Sequence, residues 1–284
     1  MIFAHSRPGG ISWSITGTGA SIDTDDPSDL TDGRPDTVVP FTWTSGTQST
    51  STVTGIVGEW TGGMVPGIVG ISNIDLPAGT KIEVAFRRSS DPPATYPYSG
   101  IPYLTSQRIL EGPRGERTAW FLFQGTTEVV GCKISIYNDV NGSPTIVASQ
   151  AFHIGEIFIG ETDDICIGLT ASIDQIDPTV NQFSWNNQPY TSPGVPYRQL
   201  NFSLRTADES TWFDSYEPML AKIDRGQICA YVLSYKDGVG NFSSTKLHRY
   251  ALIGVAAKQP ARAHVVRGTY SSGQLQVVES PIPT

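Results

Sequence analysis

The chain has 284 residues, of which 38% are hydrophobic and 10% aromatic, enough to bury a core and to argue against disorder. Its formal net charge of −8 excludes a nucleic-acid surface that neutralises phosphates with clustered Lys and Arg. The 29 glycines, 20 prolines and a charged fraction of only 16% indicate a turn-rich β protein of one large or two ordinary domains.

Neither a membrane span nor a secretory signal is expected. No apolar run approaches about 18 residues, the length that a spanning helix needs. The residues from Met1 to Pro8 lack the basic-then-apolar pattern of a signal peptide. We therefore expect a soluble protein that is made in a cytoplasm.

Alternating apolar and more polar side chains predict strands at 81–86, 132–137 and 199–204. Each of these strands should have one buried and one wetter face, because successive side chains point to opposite sides of a sheet. The denser apolar runs at 228–235 and 250–255 suit strands in the core of a sandwich. The sequence therefore predicts a mainly β protein.

One helix is predicted near 207–225. Thr206 and Glu209 have the spacing of a capping box, and apolar residues then recur every three or four positions. Pro218 should kink the helix or restart it, because proline lacks an N–H group, and Arg225-Gly226 should end it. The apolar stripe is typical of a helix that packs on a sheet; its members are Trp212, Tyr216, Met219, Leu220 and Ile223.

A domain boundary is predicted where the strand at 157–159 is followed by the polar segment Glu161-Thr162-Asp163-Asp164. Residues 1–161 would form the first domain. Residues 162–284 would form a second, β-sandwich-like domain that contains the helix near 207–225.

The sequence carries no obvious catalytic signature. Its four histidines are scattered, and no HExxH, GxSxG or SxxK pattern occurs. Cys132, Cys166 and Cys229 are odd in number and far apart, which argues against a disulfide framework or a zinc site. We expect a non-enzymatic protein that requires no cofactor.

Three segments together resemble a known module. They are Leu30–Phe41, with its acidic turn; Gly67–Val84, with two strands around an Asn-centred turn; and Phe152–Gly160, which looks like a closing strand. The combination is similar to the galactose-binding-like (discoidin-type) jelly roll in the variant found in tailed-phage tail proteins. The resemblance implies an N-terminal jelly-roll β-sandwich followed by a second β-rich domain with one kinked helix.

The same resemblance implies a structural role in the tail tip or baseplate of a siphophage-like phage, as a distal tail or minor tail protein. Such a protein resides in the virion, is made in the host cytoplasm, and assembles with itself, as a ring or trimer, and with other phage tail proteins. The alternative is a carbohydrate-binding adhesin module that contacts host surface glycans directly. Fold-level analogy alone does not separate these two functions.

Modules of the discoidin type often hold one structural calcium ion, and the resemblance implies Asp32, Asp36, Thr37 and Glu156 as its ligands. Oxygen-rich loop residues are the ligands that calcium prefers. The alternative for this segment is a tight turn held by Asx-type hydrogen bonds.

Aromatic and basic residues in the middle of the sandwich region are the candidates for carbohydrate or partner contact. A loop rich in Tyr and Pro suits a protein contact, a cap on the sandwich or a glycan site, and the sequence leaves all three open. The candidate residues are Trp60, Arg87, Tyr96, Tyr98 and Tyr103.

Overall fold

The structure is a computed structural model of the chain. It describes residues 1–4, 8–17, 20–22, 27–31, 37–44, 49–97, 106–112, 115–164, 171–183, 189–192, 194, 196–205, 207–224, 228–258, 262–266 and 269–279. The fold is mainly β, as the sequence predicts.

Contacts divide the chain into two compact units. The sandwich unit comprises Ala4–Asp163 and Ser234–Ala251, and the second unit comprises Met1–Phe3, Asp164–Leu233 and Leu252–Thr284. This division falls two residues beyond the boundary expected between 161 and 162. It also gives the segment 234–251 to the sandwich unit, which the sequence did not indicate.

Among the described residues up to Asp164, the chain forms thirteen strands. They are β1 (Ile2–Ala4), β2 (Ser12–Gly17), β3 (Ala20–Ile22), β4 (Val39–Trp43), β5 (Val53–Met64), β6 (Ile68–Ile74), β7 (Thr80–Arg87), β8 (Ser106–Arg108), β9 (Leu110–Glu111), β10 (Arg117–Leu122), β11 (Val129–Val140), β12 (Ala151–Gly160) and β13 (Thr162–Asp164).

The sandwich is built from two antiparallel sheets. One has the strand order β3-β4-β12-β6-β10-β9, and the other has the order β2-β5-β11-β7-β8. In the five-stranded sheet Ile134 of β11 lies opposite Ile56 of β5 and Val84 of β7. Because side chains alternate along a strand, this register sends one face of each strand into a shared core and the other face outward.

The core of the sandwich is a single cluster of aliphatic and aromatic side chains from both sheets. Phe41 and Phe152 stack with ring centroids 5.2 Å apart, and Phe86 meets Phe123 edge-on at 4.9 Å. Cys132 is fully buried in this cluster, and burial raises the pKa of its thiol to about 12. These two facing sheets confirm the β-sandwich that the sequence predicts for the N-terminal part.

In the described part of the chain after Asp164, ten further strands form. They are β14 (Ser172–Ile176), β15 (Val180–Phe183), β16 (Pro189–Ser192), β17 (Tyr197–Phe202), β18 (Ala207–Asp208), β19 (Cys229–Val232), β20 (Ala251–Lys258), β21 (Arg262–Val266), β22 (Thr269–Ser272) and β23 (Leu275–Glu279). Their main sheet has the order β13-β1-β19-β20-β23-β17-β14, and smaller sheets are formed by β15-β16 and by β18-β22-β21.

The predicted helix packs against strands of the second unit. It consists of α1 (Glu209–Thr211), a π-helical turn (Trp212–Tyr216) and α2 (Glu217–Asp224). Four side chains of the predicted stripe share one core cluster with residues of β17, β19 and β23; they are Trp212, Tyr216, Met219 and Leu220. Ile223, the fifth, and Arg225-Gly226 lie outside the described side chains and residues.

The helix is interrupted directly before Pro218. Pro218 has no N–H to donate to the preceding turn, and the π-helical turn lies directly before it, with the Glu217 N–H bonded to the Trp212 carbonyl. The expected cap is corrected: Asp208 is the N-cap, and its side chain accepts a hydrogen bond from the Thr211 N–H at 2.8 Å. Thr206 lies outside the described residues.

A further helix, α3 (Ser244–Tyr250), was not predicted and belongs to the sandwich unit. Ser243 caps it, and its His248 Nδ1 lies 2.6 Å from Thr118 Oγ1 of β10. Both of these side chains are buried, so the hydrogen bond attaches α3 to the sheet. In the described part of the chain, every helix is too short or too polar to cross a lipid bilayer.

Candidate functional site

A cleft opens at the end of the sandwich where β5 turns into β6, β10 leads into β11, and β12 leads into β13. Its volume is about 370 Å³. That size lies within the range of about 300–1,000 Å³ that is usual for small-molecule sites. The lining residues are Val65, Pro66, Gly67, Phe123, Gln124, Gly125, Glu161, Thr162 and Asp163.

Hydrogen bonds hold the three segments of the cleft together. The Gly67 N–H donates to the Gly160 carbonyl, and the Phe123 N–H donates to the Gly67 carbonyl, each at 2.9 Å. The Val65 N–H donates to Glu161 Oε1 at 3.3 Å. These contacts fix the cleft on backbone that continues directly from the sheet, which makes the site largely preformed.

Gly67 is required by the close approach of Thr162. A Cβ atom at position 67 would lie 2.1 Å from Thr162 Oγ1, far closer than van der Waals contact allows. The missing side chain therefore lets Thr162 and Glu161 reach the wall of the cleft.

A second polar cluster, the Tyr96 cluster (Glu59, Arg87 and Tyr96), lies on the outward face of the five-stranded sheet. Glu59 Oε1 accepts hydrogen bonds from Arg87 Nε at 3.0 Å and from the Tyr96 hydroxyl at 2.9 Å. Arg87 Nη2 also lies 3.0 Å from the same oxygen. The Glu59 side chain is 44% exposed and that of Arg87 is 16% exposed, so solvent reaches the cluster from the carboxylate side.

Gly131 lies beside the tyrosine ring. It lies opposite Glu59 in β5 and opposite Arg87 in β7, between the two charged side chains. A Cβ atom there would lie 3.5 Å from Tyr96 Cε1 and 3.1 Å from the Gly58 carbonyl oxygen. The ring therefore lies near bare backbone, flanked by a carboxylate and a guanidinium.

Hydrogen bonds close the turn after β7 that leads to Tyr96. Asp91 accepts hydrogen bonds from the Arg88 side chain, with Nη2 at 2.8 Å, and from the Arg88 backbone N–H at 2.9 Å. These bonds hold the pKa of the Asp91 carboxyl below its usual value. The Thr95 N–H donates to the Pro92 carbonyl at 3.2 Å, which closes the next turn.

Burial and the Glu59 carboxylate both favour the neutral phenol of Tyr96. Desolvation is the larger cause and the hydrogen bond to Glu59 the next, and together they raise the pKa of Tyr96 to about 12. At neutral pH the hydroxyl is therefore a donor to Glu59, with the ring held in one orientation.

The cleft and the Tyr96 cluster lie at the same end of the sandwich. Arg87 ends β7 and lies opposite Gly131, near the start of β11, and the cleft residues Phe123, Gln124 and Gly125 lie in the connection that leads into β11. Phe123 packs edge-on against the inward-facing Phe86, with centroids 4.9 Å apart, whereas Arg87 points to the outward face of the sheet. Phe123 itself is only 5% exposed, so the aromatic surface available to a ligand comes from the half-buried Tyr96 ring.

The structure brings only some of the predicted contact residues together. The structure brings Arg87 and Tyr96 together, whereas Tyr98 and Tyr103 lie outside the described residues. Trp60 is corrected to a core residue, because it is 6% exposed and its Nε1 donates to the Val129 carbonyl at 3.2 Å. The inward direction of the Trp60 side chain could have been predicted from the sequence. Trp60 lies at every second position after Ile56 and Gly58, so the three residues share one face of the strand.

The predicted calcium ligands are described only in part. Asp32 and Asp36 lie outside the described residues. Thr37 is half-buried before β4, and Glu156 is fully buried on β12, opposite Ser72 of β6. Among the residues that the structure describes, no three His, Cys, Asp or Glu side chains are grouped as metal ligands would be.

Several site residues belong to no recognisable motif. Gln124 lies in a loop and Glu161, Thr162 and Asp163 lie at the start of β13, 37 to 39 residues further along the chain. Glu59 could have been found from its alternation with Trp60 in a strand of otherwise apolar and small residues. The cleft residues carried no local signal, because only the sheet order brings them together.

No protein-family model matches the sequence, and no curated protein matches it. The CBM32-1 module of a family 31 glycoside hydrolase from Clostridium perfringens is similar, at 12% identity over 54% of this chain and 96% of that module, with a TM-score of 0.33. A GH29 fucosidase from Ruminococcus gnavus, in complex with fucose, is 13% identical over 55% of this chain and 26% of its own, with a TM-score of 0.35.

Another CBM32 module produced by Clostridium perfringens is 12% identical over 49% of this chain and 90% of that module, with a TM-score of 0.28. At such TM-scores the matches carry no weight for function. The β-sandwich assignment rests on the sheet order and register of this chain.

Proposed function

We propose that the sandwich unit is a carbohydrate-binding module that recognises glycans at the end formed by the cleft and the Tyr96 cluster. The observation that carries the proposal is the combination of a preformed polar cleft of about 370 Å³ with a buttressed tyrosine ring at the same end of the sandwich.

The proposal follows from the chemistry of sugars. A pyranose ring presents hydroxyl groups at its rim and C–H groups on its faces, so its site needs hydrogen-bonding groups together with an aromatic surface. Gln124, Glu161 and Thr162 supply the hydrogen-bonding groups of the cleft, and Tyr96 supplies the aromatic ring. The Glu59 and Arg87 contacts hold that ring in place before a ligand arrives, which lowers the entropy lost on binding.

The proposed role is binding without catalysis and without a required cofactor. The two histidines whose side chains the structure describes are His153, which pairs with Asp75, and His248, which is buried against Thr118. Neither of them lines the cleft. Structural calcium at Asp32, Asp36, Thr37 and Glu156 remains a secondary hypothesis, which calorimetry with Ca²⁺ on EDTA-treated protein would test by the heat of binding and a rise in Tm.

A glycan array followed by calorimetry on the best oligosaccharide tests the proposal. Tyr96→Ala should weaken binding by roughly tenfold or more, in line with loss of a buried aromatic contact. Tyr137→Ala is the matched control, because Tyr137 also donates to a carboxylate, Glu83 Oε2 at 2.5 Å, on the same strand face but away from the cleft end. A flat array with folded protein would overturn the proposal, as would equal losses for the two variants.

A structural role in a phage tail tip is the second hypothesis, and its support is the sequence resemblance of the segments Leu30–Phe41, Gly67–Val84 and Phe152–Gly160. In that role the protein would reside in the virion and assemble with itself and with other tail proteins through large interfaces. Light scattering of the purified chain and electron microscopy of particles from the host would test it. A monomer at high concentration that is absent from particles would exclude it.

A further inference from the structure

The outward face of the five-stranded sheet has an excess of cations, although the formal charge of the whole chain is −8. Directly opposite residues share one face of a sheet, so the register of its strands brings these side chains together. In the described part of this face the cations are Lys81, Arg87, Arg108 and Lys133, and the carboxylates are Glu59, Glu83 and Asp139.

Lys133 differs from the other cations of this face because they already have carboxylate partners. The pairs are Arg87–Glu59 at 3.0 Å, Lys81–Glu83 at 2.7 Å and Arg108–Asp139 at 3.1 Å. The Lys133 side chain makes no ion pair and no hydrogen bond with the residues that the structure describes. A ligand can therefore pair with the Lys133 ammonium without first breaking an internal ion pair.

Bare backbone beneath Lys133 holds its side chain against the sheet. A Cβ atom at Gly55 would lie 2.6 Å from Lys133 Cε, so only glycine leaves room for the lysine stem there. Thr16 Oγ1 would lie 2.7 Å from the same Cβ atom, and it is buried without a hydrogen-bond partner. The slot over Gly55 thus holds a cation and a hydroxyl group that are not bonded within the described chain.

The position of the Lys133 ammonium is set before a ligand arrives. Lys133 is half-buried and lies directly opposite Val57, which is only 4% exposed. A lysine whose stem lies on apolar surface keeps its charged end in contact with water. The ammonium is therefore accessible at the surface of the sheet.

Tyr96 lies beside this lysine on the same face. The Tyr96 ring lies near Gly131, and Lys133 is two residues further along β11, a distance of about 7 Å. The Lys133 stem extends further in the same direction, toward Gly55, which lies opposite Ser135. An oligosaccharide that contacts the Tyr96 ring can therefore reach the ammonium with a neighbouring sugar residue.

We propose that Lys133 makes the site selective for oligosaccharides that carry a carboxylate on a sugar next to the one that contacts Tyr96. This inference rests on the proposed carbohydrate-binding function and assigns its ligand class. The carboxylate accepts charge-assisted hydrogen bonds from the Lys133 ammonium, and these are stronger than hydrogen bonds between neutral groups. Glu161 lines the cleft, so the acidic group lies toward Lys133 and the neutral part of the ligand lies toward the cleft.

Solvent limits the size of this preference. Because Lys133 is half-buried, water and salt screen its charge in part. We expect an acidic oligosaccharide to bind about fivefold to tenfold more tightly than its neutral counterpart, as for a charge-assisted hydrogen bond at a partly exposed site. The preference should shrink as the salt concentration rises.

Calorimetry of the full chain with a galacturonic acid trisaccharide and its fully methyl-esterified form tests the inference. Esterification removes the negative charge and keeps the sugar backbone. We expect the acid to bind more tightly than the ester at low salt, and the two affinities to converge at high salt. An ester that binds as tightly as the acid at low salt would overturn the inference.

Lys133→Gln should abolish both the preference for the acid and its dependence on salt, whereas Lys133→Arg should keep both, because a guanidinium also donates to carboxylates. Lys246→Gln removes the same charge and is the matched control. Lys246 is also half-buried and belongs to the same unit, but it lies on α3, which is attached to the other sheet through His248 and Thr118. Equal loss of the preference in Lys246→Gln would assign the effect to net charge and refute the inference.

The inference and the proposed function fail in different ways. A chain that binds other glycans on the array but neither trisaccharide would overturn the inference and leave the proposed function standing. Failure of every glycan to bind would overturn the proposed function itself. A thermal melt of each variant separates loss of folding from loss of binding.

Discussion

The Tyr96 hydroxyl donates to Glu59 Oε1 at 2.9 Å, across 37 residues of sequence. The same oxygen is bonded to Arg87, so one carboxylate positions both an aromatic ring and a cation. Tyr137 and Glu83 repeat the tyrosine–carboxylate pair elsewhere on the same sheet, and neither of them lines the cleft. Comparing variants of Tyr96 with variants of Tyr137 therefore distinguishes the effect of losing a tyrosine–carboxylate hydrogen bond on stability from the effect of losing Tyr96 on ligand binding.

The two tyrosine pairs should make stability sensitive to alkaline pH. Burial, with the carboxylate bond second, raises the pKa of Tyr96 to about 12, and the same causes raise that of Tyr137 to about 12, from an ordinary value of 10.0. The folded state holds the tyrosine protons more tightly than the unfolded state. The contribution of these tyrosines to the free energy of unfolding is therefore complete below pH ~10 and is lost as the pH rises toward ~12.

Absorbance titration at ~295 nm should show the late ionisation of these tyrosines, and Tyr96→Phe should remove one late group. The same variant should lower the free energy of unfolding by about 1 kcal/mol at neutral pH, the usual net value of such a hydrogen bond. An unchanged titration curve for Tyr96→Phe would contradict the assignment.

Gly67→Ala should distort the cleft. The new Cβ would meet Thr162 Oγ1 at 2.1 Å and Thr162 Cγ2 at 2.5 Å, so Thr162 or the β5–β6 turn must move. We expect a lower Tm and weaker binding of whichever oligosaccharide the wild-type chain binds. Gly9→Ala is the control, because a Cβ at position 9 has no neighbour within 4 Å.

Thr162→Ala in the Gly67→Ala background should recover part of the lost stability, since it removes the two closest atoms. A Gly67→Ala variant with unchanged Tm and unchanged binding would show that the two segments are not in close contact.

Glu279→Gln should strongly destabilise the second unit. Glu279 and Arg198 form a buried ion pair in which Glu279 Oε1 accepts from Arg198 Nε at 2.8 Å and Oε2 accepts from the Arg198 backbone N–H at 3.1 Å. Both side chains are less than one-tenth exposed. Loss of the carboxylate leaves a buried guanidinium unpaired, which costs about 3–5 kcal/mol in comparable cases.

Urea unfolding of this variant should be compared with that of Glu111→Gln. Glu111 pairs with Arg117 at 3.1 Å on the surface, with side chains 44% and 31% exposed. An exposed pair contributes at most about 1 kcal/mol. Equal effects of the two variants would mean that the Arg198–Glu279 pair is open to solvent.

Asp208→Ala should loosen the start of the interrupted helix in the second unit. The Asp208 side chain accepts hydrogen bonds from the Thr211 N–H and the Ser210 hydroxyl, and these bonds lower the pKa of its carboxyl. The contribution of the Asp208 carboxylate to the stability of the second unit is therefore present above an ordinary carboxyl pKa and is lost as the pH falls below that value.

Asp208→Asn is the conservative variant, since Asn is also a good N-cap. Circular dichroism melts should show a lower Tm for Asp208→Ala and a Tm near that of the wild type for Asp208→Asn. A Thr206 variant with a larger effect than Asp208→Ala would restore the capping box expected from the sequence.

The periodicity of apolar residues predicted much of the secondary structure, because strands and helices depend mainly on residues that are close together in the chain. The alternation at 81–86 and 132–137 became β7 and β11, with Ile82, Val84 and Ile134 pointing into the core. The helix near 207–225 formed for the same reason, since its stripe has the period of a helix face.

The N-cap of this helix could not be predicted from the local sequence pattern alone. Thr206 and Asp208 are both good N-caps, so sequence alone does not choose between them. The structure shows why Asp208 is used: Ala207 and Asp208 pair with Tyr270 and Thr269 of β22 as strand β18, and the helix begins only after that pairing ends. The residues that decide the cap are about 60 positions away in the chain.

The sequence by itself determined that this chain is an acidic, mainly β protein with strands of period two and one helix interrupted near Pro218. Only the tertiary structure decided that segment 234–251 belongs to the sandwich unit and that residues near 66, 124 and 162 line one cleft. The physical reason is that backbone propensity acts over a few residues. Sheet order and the packing of side chains, in contrast, join segments that are distant in the chain.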